Sequence, residues 1–194
     1  MPRFDARSPF ALSFREMTDL VLTLIGPDRP GLVEAVAGIV AAHEGNWLES
    51  RMTHLAGKFA GILRAEVPEA RVAPALAALA ALERQGLKVV AEATDRGGAA
   101  GDTPGALRRM KLELVGLDRP GIVREIAQLF AAQGINVEEL VTDRSSAPMS
   151  GEALFQARAH LQVPARVDLA TLRSSLERLA ADLVVEIRFE DREA

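Results

Sequence analysis

Apolar residues recur along the chain at two spacings, which alternate in the same order twice. Every second residue is apolar in the segments that begin at Leu20 and Leu112, as expected for strands with one buried face. The segments that follow Pro30 and Pro120 carry apolar residues three and four positions apart, which is typical of a helix. Because Pro is tolerated in a first helical turn, these two prolines are predicted to open the helices.

The same patterns predict four more elements in each half of the chain. Alternating segments indicate two strands, an Ala- and Leu-rich segment indicates a second helix, and a last alternating segment indicates a final strand. Asp168 is predicted to cap the fourth helix of the chain. The predicted elements are strands at 46–55, 58–67, 135–144 and 153–163, helices at 73–85 and 169–181, and final strands at 87–92 and 184–189.

The order βαββαβ therefore occurs twice, and it predicts an α+β fold. With right-handed crossovers, each copy forms a ferredoxin-like domain with a four-stranded antiparallel sheet and two helices on one face. The other face of each sheet stays uncovered within one copy, so a second copy or another molecule is expected to meet it. We therefore predict a homodimer.

A direct repeat supports the duplication. Leu22–Val33 reads LTLIGPDRPGLV and Leu112–Val123 reads LELVGLDRPGIV, 90 positions later. Phe59 and Phe155 correspond at an offset of 96, so the second copy carries six extra residues, which fall in the polar stretch 145–152.

These matches divide the chain into four parts. The first domain is predicted at 19–94 and the second at 110–191. The Gly- and Ala-rich segment 95–109 between them lacks apolar periodicity and is predicted to be a flexible linker. Residues 1–18 match neither copy and are interpreted as an N-terminal extension.

Composition narrows the function classes. The net charge of −4 and the 4% of aromatic residues, with no Tyr, argue against direct binding of nucleic acid. The absence of Cys excludes disulfides, thiol nucleophiles and cysteine-based zinc sites, and it suits the cytoplasm. Apolar runs are too short to cross a membrane, and the N-terminus lacks the apolar core of a signal peptide.

The chemistry of a binding site is concentrated in a motif, Gly-x-Asp-Arg-Pro-Gly, at 26–31 and 116–121. It lies where a strand passes into a helix, whose free N–H groups and partial positive charge suit a carboxylate. The last glycine lets a ligand approach the backbone, and Asp28 and Asp118 offer an acceptor for an ammonium group. An α-amino acid presents both charges, and Asn46 and Asn136 are expected to add an amide hydrogen bond.

The same motif also has a purely structural explanation. Asp favours the start of a helix, Pro fits the first turn, and Gly eases a tight turn. The residues alone favour neither explanation over the other. No catalytic set accompanies the motif, because the three histidines, His43, His54 and His160, are not at metal-ligand spacing. We therefore expect no metal, no cofactor and no enzymatic activity.

The repeated motif, with the βαββαβ order around it, resembles tandem proteins of the ACT-domain family, above all the group of glycine cleavage system transcriptional repressors. The stretch TDRSSAPMSGEALF and the later LQVP add to the resemblance. It implies a regulator that binds an amino acid, with glycine and serine as the first expectations. It also implies a protein partner, such as a DNA-binding transcription activator, and no contact with DNA itself.

The resemblance also implies which residues bind the ligand. The turns would be Asp28–Leu32 and Asp118–Ile122, with Asn46 and Asn136 as side-chain contacts. Val137 stands where the first copy has Trp47, so the two sites are not expected to be equivalent. The implied site residues are Asp28, Arg29, Pro30, Gly31, Leu32 and Asn46 in the first copy, and Asp118, Arg119, Pro120, Gly121, Ile122 and Asn136 in the second.

Two other functions remain open at this point. The chain could be a regulatory subunit or a detached regulatory module of a metabolic enzyme, because the motif also occurs in the ACT domains of formyltetrahydrofolate deformylases and some phosphoserine phosphatases. It could also be a structural interaction module that binds no ligand and docks a partner on an exposed sheet.

Overall fold

The computed structural model describes residues 16–94, 107–147 and 151–191. Most of the predicted N-terminal extension, residues 95–106 of the predicted linker, and part of the inserted stretch 145–152 lie outside these ranges. The chain forms two compact units, Met1–Gly101 and Asp102–Ala194.

The first unit contains one antiparallel sheet with the strand order β2-β3-β1-β4. The helix α2 passes directly into a 3₁₀ turn, Ala81–Gln85. Its elements are β1 Met17–Pro27, α1 Leu32–Ala42, β2 Asn46–Leu55, β3 Lys58–Pro68, α2 Glu69–Ala80 and β4 Lys88–Thr94.

The second unit repeats this arrangement with the strand order β6-β7-β5-β8, again antiparallel. The prediction of two ferredoxin-like βαββαβ domains, each with a four-stranded sheet and two helices, is confirmed. Its elements are β5 Leu107–Leu117, α3 Ile122–Gln133, β6 Asn136–Ser146, β7 Ala153–Pro164, α4 Leu169–Leu183 and β8 Val185–Asp191.

Alternation along the central strands builds both cores. Leu20, Leu22 and Leu24 on β1 are fully buried beneath the helices, as are Leu112 and Leu114 on β5. Burying one such side chain contributes about 1.5–3 kcal/mol relative to leaving it exposed. The helices bury the residues that their periodicity indicates, namely Leu32, Val36 and Val40 on α1 and Ile122, Ile126 and Phe130 on α3.

The structure corrects the predicted helix starts after the two motifs. α1 and α3 do not open at Pro30 and Pro120; each has a glycine as its N-cap, Gly31 with φ 90° and Gly121 with φ 100°. Because the backbone turns left-handed at that glycine, the helix begins one residue after it, and the proline lies just before the cap.

Two other boundaries also differ from the prediction. α2 begins at Glu69 and not at Ala73, because the helix continues through Pro74. A proline at that position removes only one helical hydrogen bond, to the carbonyl of Ala70. β5 begins at Leu107, so the last three residues of the predicted linker belong to a strand.

The predicted cap at Asp168 is confirmed. Its carboxylate accepts hydrogen bonds from the Thr171 hydroxyl at 2.5 Å and from the N–H groups of Thr171 at 3.1 Å and Ala170 at 3.3 Å. These hydrogen bonds stabilise the charged form and so lower the pKa of Asp168. The Thr171 hydroxyl has the largest effect, and the two N–H groups add to it.

The faces of the two sheets that point away from the helices differ in polarity. In the first sheet, Ile62 and Val90 lie on either side of Thr23 and are 57% and 47% exposed. At the corresponding place of the second sheet, Arg158 and Arg188 lie on either side of Glu113. The free face of the first sheet is therefore apolar at its centre, and that of the second is charged.

Candidate functional site

The first motif forms a tight turn after β1 that is held from two sides. The Asp28 N–H donates to the carbonyl of Gly57 at 3.0 Å, and the Arg29 guanidinium donates to the carbonyl of Gln85 at 2.9 Å. Gly26 is buried, and a Cβ there would lie 2.6 Å from the Gly86 carbonyl oxygen. The first glycine and the arginine of the motif therefore serve the packing of the turn.

The last glycine of the motif opens the helix without a side-chain cap. Within the described part of the chain, no side chain accepts from the first N–H groups of α1. A Cβ on Gly31 would meet only the Glu34 carboxylate, 4.0 Å away, so the space in front of the turn is open. Free N–H groups, the positive end of the helix and an open approach coincide here.

Asp28 is the one charged residue of the first motif that the turn does not use. If the motif had a purely structural role, Asp28 would be expected to cap α1. Its side chain makes no capping hydrogen bond. Among the described residues, none forms an ion pair with the exposed carboxylate of Asp28. Glu34 lies on the adjoining helical turn, so two carboxylates near this turn can accept an ammonium group.

The second motif has the same backbone and a different electrostatic balance. Arg144 on β6 forms an ion pair with Asp118, Nε to Oδ2 at 2.8 Å, and Arg119 approaches Glu125 at 3.7 Å. The residue of β2 that corresponds to Arg144 is His54, since each lies opposite the matching Phe in the next strand. Among the described residues, the aspartate is therefore ion-paired in the second turn and not in the first.

Close packing again explains the first glycine of the second motif. A Cβ on Gly116 would collide with the Val185 side chain. The Asp118 N–H donates to the carbonyl of Ala153 at 2.8 Å, which ties the turn to the start of β7. No side chain in the described ranges caps α3.

Asn46 and Asn136 do not join these turns within their own domains. Asn46 lies opposite Glu66, at the end of β2 that is remote from the turn, and Asn136 lies opposite Gln162. The separation is the length of a strand of 10 residues, roughly 30 Å. The expectation that the first and second strands bring these amides to the same ligand is therefore wrong for a single domain.

The second domain also has an apolar cavity between α3 and β6. It holds about 40 Å³ of free volume, and no charged or hydrogen-bonding side chain lines it. One of its lining residues, Val137, stands where the first domain has Trp47. Its lining residues are Leu112, Val123, Ile126, Ala127, Phe130, Val137, Leu140, Phe155, Ala157 and Ala159.

Other polar residues form local structural contacts. The His43 ring lies 2.8 Å from the Ile39 carbonyl at the end of α1, and His160 lies 2.8 Å from Glu139 on the next strand. Across the described ranges, no three acidic or histidine side chains cluster as metal ligands would. Across the same residues, no helix is long and apolar enough to span a membrane.

Two family models, both described as ACT domain, match the chain at residues 18–92 and 106–186. A crystal structure of a protein described only as unknown, from Galdieria sulphuraria, superposes with a TM-score of 0.78 and 25% identity, over 92% of this chain and 100% of that one. A crystal structure assigned to a candidate glycine cleavage system transcriptional repressor gives a TM-score of 0.65 over 92% and 99% of the two chains. At 19% identity, that second likeness shows a shared fold.

A curated relative matches over a shorter segment. A UPF0237 protein of Methanopyrus kandleri is 38% identical over 56 residues, which make up 29% of this chain. The chain spans 62% of the length of that relative.

Proposed function

The chain belongs to the ACT-domain family, and we propose that it is a regulatory protein that responds to a free amino acid and catalyses no reaction. ACT domains are regulatory modules, and this chain carries two in tandem. The proposed ligand sites are the turns Asp28–Leu32 and Asp118–Ile122. Glycine and serine are the first candidates, in keeping with the fold that the chain shares with the candidate glycine cleavage repressor.

Asp28 carries this proposal. Packing requirements account for Gly26 and Arg29, and the left-handed backbone accounts for Gly31. None of them requires a carboxylate at position 28, which lies exposed beside an uncapped helix N-terminus. An α-amino acid would place its ammonium group on this carboxylate and its own carboxylate on the helix N–H groups.

We propose that the response is transcriptional and passes through a protein partner. The support is the shared fold with the candidate glycine cleavage repressor, together with a net charge of −4 that disfavours direct contact with DNA. A DNA-binding transcription activator in the cytoplasm is the partner that fits this function. The amides of Asn46 and Asn136 would serve a turn only if another ACT domain placed that turn beside them.

Isothermal titration calorimetry with glycine, serine and a panel of other amino acids tests the ligand. Asp28→Asn removes the charge and keeps the size, so we expect binding at the first turn to weaken at least tenfold, about 1.4 kcal/mol or more. Asp182→Asn, an exposed residue on α4, is the matched control and should bind as the wild type does. Unchanged binding in Asp28→Asn, or no heat from any amino acid, would overturn the proposal.

The free face of the first sheet favours a second role as an interaction surface. Ile62, Val90 and Ile25 are each about half exposed on that face. We propose that a second copy of the chain covers this face, because a two-fold dimer places the apolar centre of one sheet against the same surface of the other copy. Sedimentation equilibrium of the full chain tests the homodimer, and a 20.8 kDa species at tens of micromolar would contradict it.

A further inference from the structure

One end of the second domain carries an open apolar groove of about 600 Å³. It lies between the last turn of α4 and the end of the sheet, where Leu117 on β5 pairs with Leu154 on β7. Val115, Leu117 and Val184 each expose a large apolar side chain there. Among the described residues that line the groove, Glu186 alone carries a charge. Exposed apolar side chains that adjoin one another are typical of a protein interface.

Val184 is held in a backbone conformation that costs stability. It ends α4 with φ 56° and ψ 48°, a left-handed conformation that a β-branched residue rarely adopts. Its side chain is 70% exposed, so burial does little to offset the strain. In the first domain Gly86 takes this place with φ 84°, which a glycine adopts without strain. Strain of this kind concentrates at functional sites.

The corresponding end of the first domain carries cations. The Arg29 guanidinium donates to the carbonyl of Gln85 at 2.9 Å, and Arg84 lies in the same 3₁₀ turn. Lys58 and Lys88 stand on the strands at this end of the sheet. Positive charge near the C-terminus of a helix stabilises its free carbonyl groups.

The second domain has replaced or redirected these cations. Glu186 and Leu154 stand at the register positions of the two lysines. Arg119, the counterpart of Arg29, approaches Glu125 at 3.7 Å. Among the described residues of α4, none in the last turn is basic. The negative end of α4 and the Glu186 carboxylate therefore border the groove without the cations that the first domain supplies.

We infer that this groove docks a basic amphipathic segment of a protein partner. An aliphatic or aromatic side chain of the segment packs against Leu117, Leu154 and Val184, and an adjoining lysine or arginine side chain meets Glu186 and the last carbonyl groups of α4. The partner thus supplies the positive charge that the first domain carries in its own sequence. The inference rests on the part of the proposed function that names a protein partner, and it gives that partner a place on the chain.

Selection of a random peptide library, displayed on phage, against the full-length chain tests the inference. The selected peptides should be enriched in lysine or arginine next to leucine, isoleucine or phenylalanine. Fluorescence anisotropy of the labelled peptides then measures their affinity. Glu186→Lys introduces the charge of the first domain and should weaken binding about tenfold or more. Glu190→Lys makes the same change four residues later on β8, so this matched control should bind as the wild type does.

Two further variants separate loss of the groove from loss of the fold. Val184→Gly relieves the left-handed strain, so it should raise the melting temperature while it weakens peptide binding. Leu154→Lys should also weaken peptide binding. Failure to select any peptide, peptides with no excess of basic residues, or binding that is equal in the wild type and the groove variants would overturn the inference. Dimers that Leu154→Lys converts to monomers would assign the groove to a second copy and overturn it as well. The calorimetric test of the amino acid ligand is independent of each of these results.

Discussion

Two glycines, seven positions apart in the first domain, should respond to alanine with opposite signs. Gly31 has φ 90°, a backbone conformation that L side chains rarely adopt. Gly38 lies inside α1, and a Cβ added there meets nothing within 4 Å. The comparison separates backbone strain from steric collision, because the Cβ at Gly31 also lies in open space, 4.0 Å from Glu34.

The magnitudes follow from the backbone alone. A left-handed conformation costs an alanine about 1–2 kcal/mol, so Gly31→Ala should lower the free energy of unfolding of the first domain by about that amount. Gly38→Ala should raise it by about 0.5–1 kcal/mol, because alanine is the better helix former and restricts the unfolded chain. The two variants should therefore differ from each other by roughly 2 kcal/mol.

Urea denaturation followed by tryptophan fluorescence measures both effects. Trp47 is the single tryptophan of the chain and packs against the core of the first domain, so its signal reports the unfolding of that domain. The midpoint for Gly31→Ala should lie below that of the wild type, and the midpoint for Gly38→Ala above it. A Gly31→Ala variant as stable as the wild type would refute a turn that requires a left-handed residue.

Two more results are expected from the second domain and from the free face of the first sheet. Because Thr171 and Ala170 hold the pKa of Asp168 below its unfolded value of about 3.9, its cap stabilises α4 above that pH and stops doing so as the pH falls through the folded pKa. The melting temperature of Asp168→Asn, followed by circular dichroism, should therefore be lower than that of the wild type at about pH 7 and equal to it near pH 2. An equal lowering of the melting temperature at both pH values would contradict a stabilising role for the charge of Asp168. Ile62→Arg should convert a dimer to monomer in sedimentation, while Val141→Arg on the charged face should leave it unchanged; dimers in both would rule out the face we propose.

The fold follows from the sequence because two periodicities alternate and the alternation occurs twice. Leu20, Leu22 and Leu24 are buried because each is two positions from the next, and nothing distant is needed to predict it. The cap at Asp168 is equally local, since it contacts residues two and three positions later. Predictions of this kind need no knowledge of how the elements pack.

The candidate site is harder to predict because it combines positions that are distant in sequence. Asn46 follows the helix that leads away from the turn, so the antiparallel strand starts at the far end of the sheet. The ion pair between Arg144 and Asp118 depends on the register of a hairpin, which the motif does not encode. The difference between Trp47 and Val137 is visible in the sequence, but the cavity is lined by residues of one helix and three strands, and no single replacement predicts it.

The unequal free faces of the two sheets limit how many copies of the chain can join. A chain with an adhesive face on both sheets would be divalent, and copies could add to both faces and grow into open filaments. Arg158, Glu113 and Arg188 at the centre of the second sheet disfavour that contact, since these charged side chains would lose their solvent. A two-fold contact through the face of the first sheet, as we propose, would therefore close the assembly at two copies.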